Sequence, residues 1–85
     1  GILILPDYQS QGLGSEALSL IVDYVFRYLN LHQVFANIAV NNKKSRLLFE
    51  KHGFILCGTK KDWSYTKGVF NDELMYQLIR PKSES

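Results

Sequence analysis

The sequence predicts an α/β fold, a mixed sheet in the order β-α-β-α-β-β with helices packed on it. Three observations lead there. Two runs rich in branched and aromatic residues, at 2–5 and 33–40, flank a segment at 15–29 whose apolar residues recur at helical spacing. A shorter helical segment follows. The chain then closes on two strand-like runs either side of Lys67-Gly68.

Ile2, Leu3, Ile4 and Leu5 form an unbroken apolar run, the pattern of a strand covered on both faces, and Pro6-Asp7 ends it. In the first helix Leu18, Ile21, Val22, Val25, Phe26 and Leu29 make one stripe. Ala17, Leu20, Tyr24 and Tyr28 widen it, so a largely buried helix is expected, closed by Asn30. Strands joined by a helix of this length form a parallel βαβ unit with a right-handed crossover. Asn41 or Asn42 then caps a helix that runs to about His52, with Gly53 as its left-handed terminator. Residues 54–61 and 73–80 are expected to pair as an antiparallel hairpin.

A chain of 85 residues makes at most one small domain, and 46% hydrophobic residues argue against disorder. A net charge of +2 with interspersed signs points to neither a nucleic-acid nor a membrane partner. No apolar run approaches the ~20 residues of a membrane-spanning helix. The single cysteine, Cys57, fits a reducing, cytoplasmic location, and the two histidines are not spaced with it as metal ligands. The sequence opens inside a strand and its only methionine is Met75, so 1–85 reads as part of a larger domain.

Between the first strand and first helix lies Gln9-Ser10-Gln11-Gly12-Leu13-Gly14. Strand, glycine turn and helix start, in that order, make a seat for phosphate. The first amides of a helix lack intrahelical acceptors, and the helix dipole adds partial positive charge there.

The turn resembles the Q/R-x-x-G-x-G/A signature of the GNAT family of N-acetyltransferases. A second match is Asn41-Asn42-Lys43-Lys44-Ser45-Arg46-Leu47-Leu48-Phe49-Glu50-Lys51-His52-Gly53-Phe54, which contains the pattern N-x-x-(S/A)-x-x-L-(Y/F)-E-K-x-G-F. Leu29-Asn30-Leu31-His32 is similar to the polyamine acetyltransferase branch. The chain is identified as the C-terminal, acetyl-CoA-binding half of a GNAT domain, similar to the spermidine/diamine and ribosomal-protein branches.

The resemblance implies acetyl transfer from acetyl-CoA, as cosubstrate, to a small amine, a polyamine or a protein N-terminus. It implies that the amides of Gln11, Gly12, Leu13 and Gly14 hold the pyrophosphate, with Gln9 opening the turn and Ser15 donating a hydroxyl. Leu3, Ile4 and Leu5 would pair with the pantetheine arm, Asn41 would hydrogen-bond it, and Ser45 joins the cofactor-binding set. No metal is required.

The chain departs from the family at three places. Phe49 stands where a tyrosine often protonates the leaving thiolate, which leaves the catalytic residues unknown. Ser10-Gln11 replaces a common Gly-Lys. The half of the domain that forms the amine pocket is not in this sequence, and the first strand's open edge is expected to pair with another chain or support a homo-oligomer. The alternative to an enzyme is a non-catalytic CoA-binding or protein-interaction remnant.

Several other residues carry two readings. Lys43 and Lys44 either lie near the adenosine 3′-phosphate or form a solvated face. His52 is expected to complement the dipole at a helix end. Cys57 reads as a small core residue. Trp63 and Tyr65 either pack the sheet or line the acceptor slot, and Glu50, Asp62, Asp72 and Glu73 either attract a cationic amine or form surface ion pairs.

Overall fold

The computed structural model describes residues 2–5 and 14–82. Its elements follow the expected order: β1 (Ile2–Leu5), α1 (Ser15–Arg27), β2 (Gln33–Ala39), α2 (Lys43–Lys51), β3 (Ile55–Thr66) and β4 (Val69–Ile79). The sheet order is β1-β2-β4-β3. β1 and β2 are parallel, with Leu3 opposite Val34 and Leu5 opposite Ala36. β4 runs antiparallel to both β2 and β3.

Alternation along the strands decides the faces. Val34, Ala36 and Ile38 are buried on one side, and their partners Leu78, Tyr76 and Leu74 lie on the same side. Leu18 and Val25 of α1 and Phe49 of α2 join Leu5, Val34, Ala36, Ile38, Phe54, Leu74 and Tyr76 in one core. Both helices therefore pack on that face. Gln33, Phe35, Asn37, Met75 and Gln77 point to the other, where no helix of the described residues lies, and a Gln77-to-Gln33 hydrogen bond of 2.7 Å runs across it.

Two expectations of burial are corrected here. Among the described residues β1 is covered on one face only: Leu5 is buried and Leu3 partly so, whereas Ile2 and Ile4 are exposed. The helix α1 is not largely buried. It contacts a single sheet, so Leu18, Ile21, Val22, Val25 and Phe26 face inward while Leu20, Tyr24 and Tyr28 remain 66%, 54% and 72% exposed. Ala17 is exposed as well. Tyr24 and Tyr28 stack on each other at 5.6 Å instead of entering the core.

The boundaries follow local chemistry. α1 stops at Arg27, two residues short of the expected end; Asn30 takes the left-handed conformation (φ 53°), and the Leu31 amide donates to the Val25 carbonyl. Asn42, not Asn41, caps α2, accepting from the Ser45 amide at 3.2 Å. Gly53 ends α2 at φ 88°. Lys67 and Gly68, at φ 52° and 78°, form the two-residue turn of a hairpin longer than expected at both strands. Register shifts at 56/58 and 60/64 bend β3. The first leaves Cys57 exposed, its thiol donating to the Met75 carbonyl at 3.4 Å, so it is not a core residue. The second places Asp62 at φ 47°, held by its amide donating to Asp72 at 2.9 Å.

Candidate functional site

The parallel pair ends at Leu5 opposite Ala36, but β2 continues to Ala39. Among the described residues, Asn37, Ile38 and Ala39 thus have a strand partner in β4 and none on the β1 side. Both helices begin at this carboxyl end of the pair, α1 after the β1 segment and α2 directly after β2. In open α/β sheets ligands bind beyond the carboxyl ends of the strands.

The start of α1 has the features of an anion seat. Gly14 is the N-cap, with extended backbone (φ −85°, ψ 161°), and no side chain caps the helix. Its carbonyl accepts from the Leu18 amide at 3.0 Å. The amides of Ser15, Glu16 and Ala17 precede that first intrahelical bond and have no acceptor within the helix. Among the described residues, a Cβ built on Gly14 would meet nothing within 4 Å, which leaves the backbone there open to a ligand on their side.

The Ser15 hydroxyl lies 2.7 Å from Nε2 of His52, the C-cap of α2, and the Ser19 hydroxyl lies 3.4 Å from its Nδ1. This link joins residues 37 apart in sequence and ties the end of α2 to the start of α1. Sequence reasoning placed His52 at a helix end but missed its partners, because the approach of the end of α2 to the start of α1 is a tertiary fact.

The other expected site residues separate into groups. Leu3, Ile4 and Leu5 lie on β1, beside the seat in topology. Gln9, Gln11, Gly12 and Leu13 fall outside the described residues. Asn41 is exposed in the β2–α2 turn, and Ser45 is half-buried in the first turn of α2, its amide occupied by Asn42. Lys43 and Lys44 are exposed. Phe49 is buried and meets Phe54 edge-on at 4.9 Å, so the ring at the usual tyrosine position is part of the core.

A polar group that sequence reasoning did not assemble lies between α2 and β4. The fully buried Tyr76 donates to Glu50 at 2.7 Å. Burial raises the Tyr76 phenol above its ordinary pKa, and the bond to Glu50 acts in the same direction by favouring the protonated form. Arg46 donates to the Val40 carbonyl at 3.2 Å. The Arg46 Nε and the Asn37 Oδ1 are buried without partners among the described residues.

Two of the hairpin carboxylates are engaged in ion pairs, Asp72 with Lys61 at 3.3 Å and the half-buried Glu73 with Lys60 at 3.7 Å. The Asp62 amide, with Lys61 beside it, holds the Asp72 carboxyl below the usual carboxylate range. Trp63 lies under Lys60, and Tyr65 packs edge-on against Phe70. Both aromatics sit on β3, at the opposite sheet edge from β1.

The described residues thus form an α/β fold in which a helix without a side-chain cap starts at the carboxyl end of a parallel strand pair, a place where such folds can receive an anion. The family model described as the acetyltransferase (GNAT) domain matches residues 1–55, and the chain belongs to that family. It is 30% identical over 81 residues to a spermidine N(1)-acetyltransferase of Vibrio cholerae, covering 95% of this chain and 47% of the relative. It is 32% identical to the ribosomal protein uS5 alanine N-acetyltransferase of Escherichia coli, covering 95% and 42%. A dodecameric structure of spermidine N-acetyltransferase from Vibrio cholerae superposes with a TM-score of 0.75 at 28% identity, covering 85% of this chain and 42% of that one. The chain spans about half the length of the curated relatives it matches.

Proposed function

We propose that this chain is the acetyl-CoA-binding half of an N-acetyltransferase whose acceptor is an amine, either a polyamine or a protein N-terminus. The observation that carries the reading is the uncapped start of α1 at Gly14, open to a ligand, in a chain of the GNAT family. The residues present fit acetyl-CoA. The amides of Gly14 to Ala17 and the Ser15 hydroxyl offer donors to the pyrophosphate, and Gln9, Gln11, Gly12 and Leu13 of the family signature are assigned to the same role by the resemblance alone. The edge of β2 at Asn37–Ala39, which has no β1 partner among the described residues, suits the amide-bearing pantetheine arm, with Leu3, Ile4 and Leu5 next along the pair and Asn41 and Ser45 at the far end.

Acetyl transfer joins a neutral amine nitrogen to the thioester carbonyl and expels the CoA thiolate. The chemistry needs positioned reactants and donors where the oxyanion develops. Backbone amides and the helix dipole serve these ends without a metal. Phe49 has no proton to give, so the proton that the attacking nitrogen loses on forming the amide reaches the departing thiolate by another route, and the step balances as amide plus free CoA thiol. The acceptors named for relatives, spermidine and a ribosomal protein, set the two amine classes proposed here. Self-association through the free edge of β1 accords with the dodecameric relative. A cytoplasmic location suits the single cysteine.

Calorimetric titration with acetyl-CoA tests the reading. Saturable binding that is competed by CoA supports it, and turnover with spermidine or an N-terminal peptide then selects the acceptor. Binding without turnover of any amine favours the non-catalytic module. A folded protein that does not bind acetyl-CoA refutes the assignment.

A further inference from the structure

The bond between Ser15 and His52 bears directly on how the seat receives an anion. A serine hydroxyl holds one proton and accepts through two lone pairs. With a bare Nε2 on His52, the Ser15 proton would be spent on the imidazole at 2.7 Å, and oxygen lone pairs would face the ligand. With Nε2 protonated, His52 donates to the Ser15 oxygen, and the Ser15 proton is free to turn toward the seat. The second contact, Ser19 Oγ to Nδ1 at 3.4 Å, accommodates either tautomer, since a hydroxyl donates to a bare Nδ1 or accepts from Nδ1–H. Ser15 is half-buried, and it is the first residue of the helix whose amides lack acceptors.

We propose that His52 is a positioning residue of the phosphate seat, donating through Nε2–H to Ser15 Oγ so that the Ser15 hydroxyl proton is presented to an anionic ligand at the start of α1. The proposal rests on the acetyl-CoA reading given above. His52 touches no ligand atom in this scheme and acts only through Ser15.

The test compares two ligands on the same proteins: acetyl-CoA, and S-acetyl-pantetheine, which lacks the phosphates. Ser15→Ala is expected to weaken acetyl-CoA about tenfold, the lower range for a hydrogen bond to a charged group. His52→Leu is expected to do the same, and Ser15→Ala/His52→Leu to bind no more weakly than either single variant. His52→Gln, which keeps a side-chain N–H at similar reach, is expected to restore most of the affinity. S-acetyl-pantetheine is expected to bind all four alike.

Equal loss of both ligands in His52→Leu assigns the residue a merely structural role and overturns the proposal. So does an additive loss in the double variant, or unchanged acetyl-CoA affinity. Should His52→Leu not fold, the imidazole nitrogen signals of the unaltered protein decide. A protonated Nε2 with acetyl-CoA bound upholds the proposal, and a bare Nε2 overturns it. An unaltered protein that binds no acetyl-CoA refutes the proposed function and removes the role of His52 with it. If that protein binds, a failure of the His52 comparisons overturns the positioning role alone.

Discussion

Gly14→Asp is expected to stabilise the protein while destroying its affinity for acetyl-CoA. Gly14 is the N-cap of α1 in an extended conformation that any residue adopts, and space is open where the new Cβ would go. An aspartate there would cap amides that now lack a side-chain partner. The cap adds a few tenths of a kcal/mol over glycine. A carboxylate at the positive end of the dipole adds ~0.3–1 kcal/mol, and loss of glycine's freedom in the unfolded chain adds ~0.4–1 kcal/mol. The sum is roughly 1–2 kcal/mol, and each kcal/mol raises the Tm of a domain this size by about 4–8 °C.

Binding moves the other way. The carboxylate occupies the amides meant for phosphate, forfeiting ~1.5 kcal/mol per charge-assisted bond. At ~5 Å and an effective dielectric of ~40, charge repulsion adds ~1.7 kcal/mol. Together these predict a loss on the order of 100-fold in affinity. Thermal melting of the free protein reads the first effect and calorimetry the second. A lowered Tm would refute the cap geometry. Raised stability with unchanged affinity would place the phosphates elsewhere than the start of α1.

Other consequences are equally direct. Leu18→Ala, at a fully buried position, is expected to cost ~2–5 kcal/mol in urea unfolding, whereas Leu20→Ala, at a 66% exposed position, is expected to stay within ~0.5 kcal/mol. Equal losses would contradict the one-sided packing of α1. Asn42→Ala is expected to cost ~1 kcal/mol and Asn41→Ala almost nothing, because only Asn42 caps α2; the same melts distinguish them. Asp72→Asn tests the hairpin bulge by pH. The folded carboxyl titrates below the ordinary value for an aspartate, so its charge stabilises the fold above that ordinary value, and the contribution is lost as pH falls through the folded value. The variant is therefore expected to be less stable than the parent at neutral pH, with the gap closing in acid. A gap independent of pH would remove the charge from the explanation.

Much of the architecture was legible because its signals are local. The stripe of Leu18, Ile21, Val22, Val25 and Phe26 identifies a helix whatever it packs on, and Gly53 and Lys67-Gly68 mark chain reversals through their own backbone preferences. The burial errors in α1 and β1 share one cause. Leu20, Tyr24, Tyr28, Ile2 and Ile4 were expected inside because they are apolar, and apolarity does not say whether a second layer exists to cover them. Cys57 was misplaced because a bulge shifts the alternation of β3, and no residue in that run announces it.

The sequence by itself determined the order of elements, the family motifs and the position of the glycine turn ahead of a helix, since each is written in residues close together along the chain. Only the tertiary structure decided which asparagine caps α2, which face of α1 is buried, and that His52 reaches Ser15 across 37 residues. Those outcomes depend on how two helices share one face of a sheet. That arrangement is set by the summed packing of Leu18, Val25, Phe49 and Tyr76, not by any short stretch of chain.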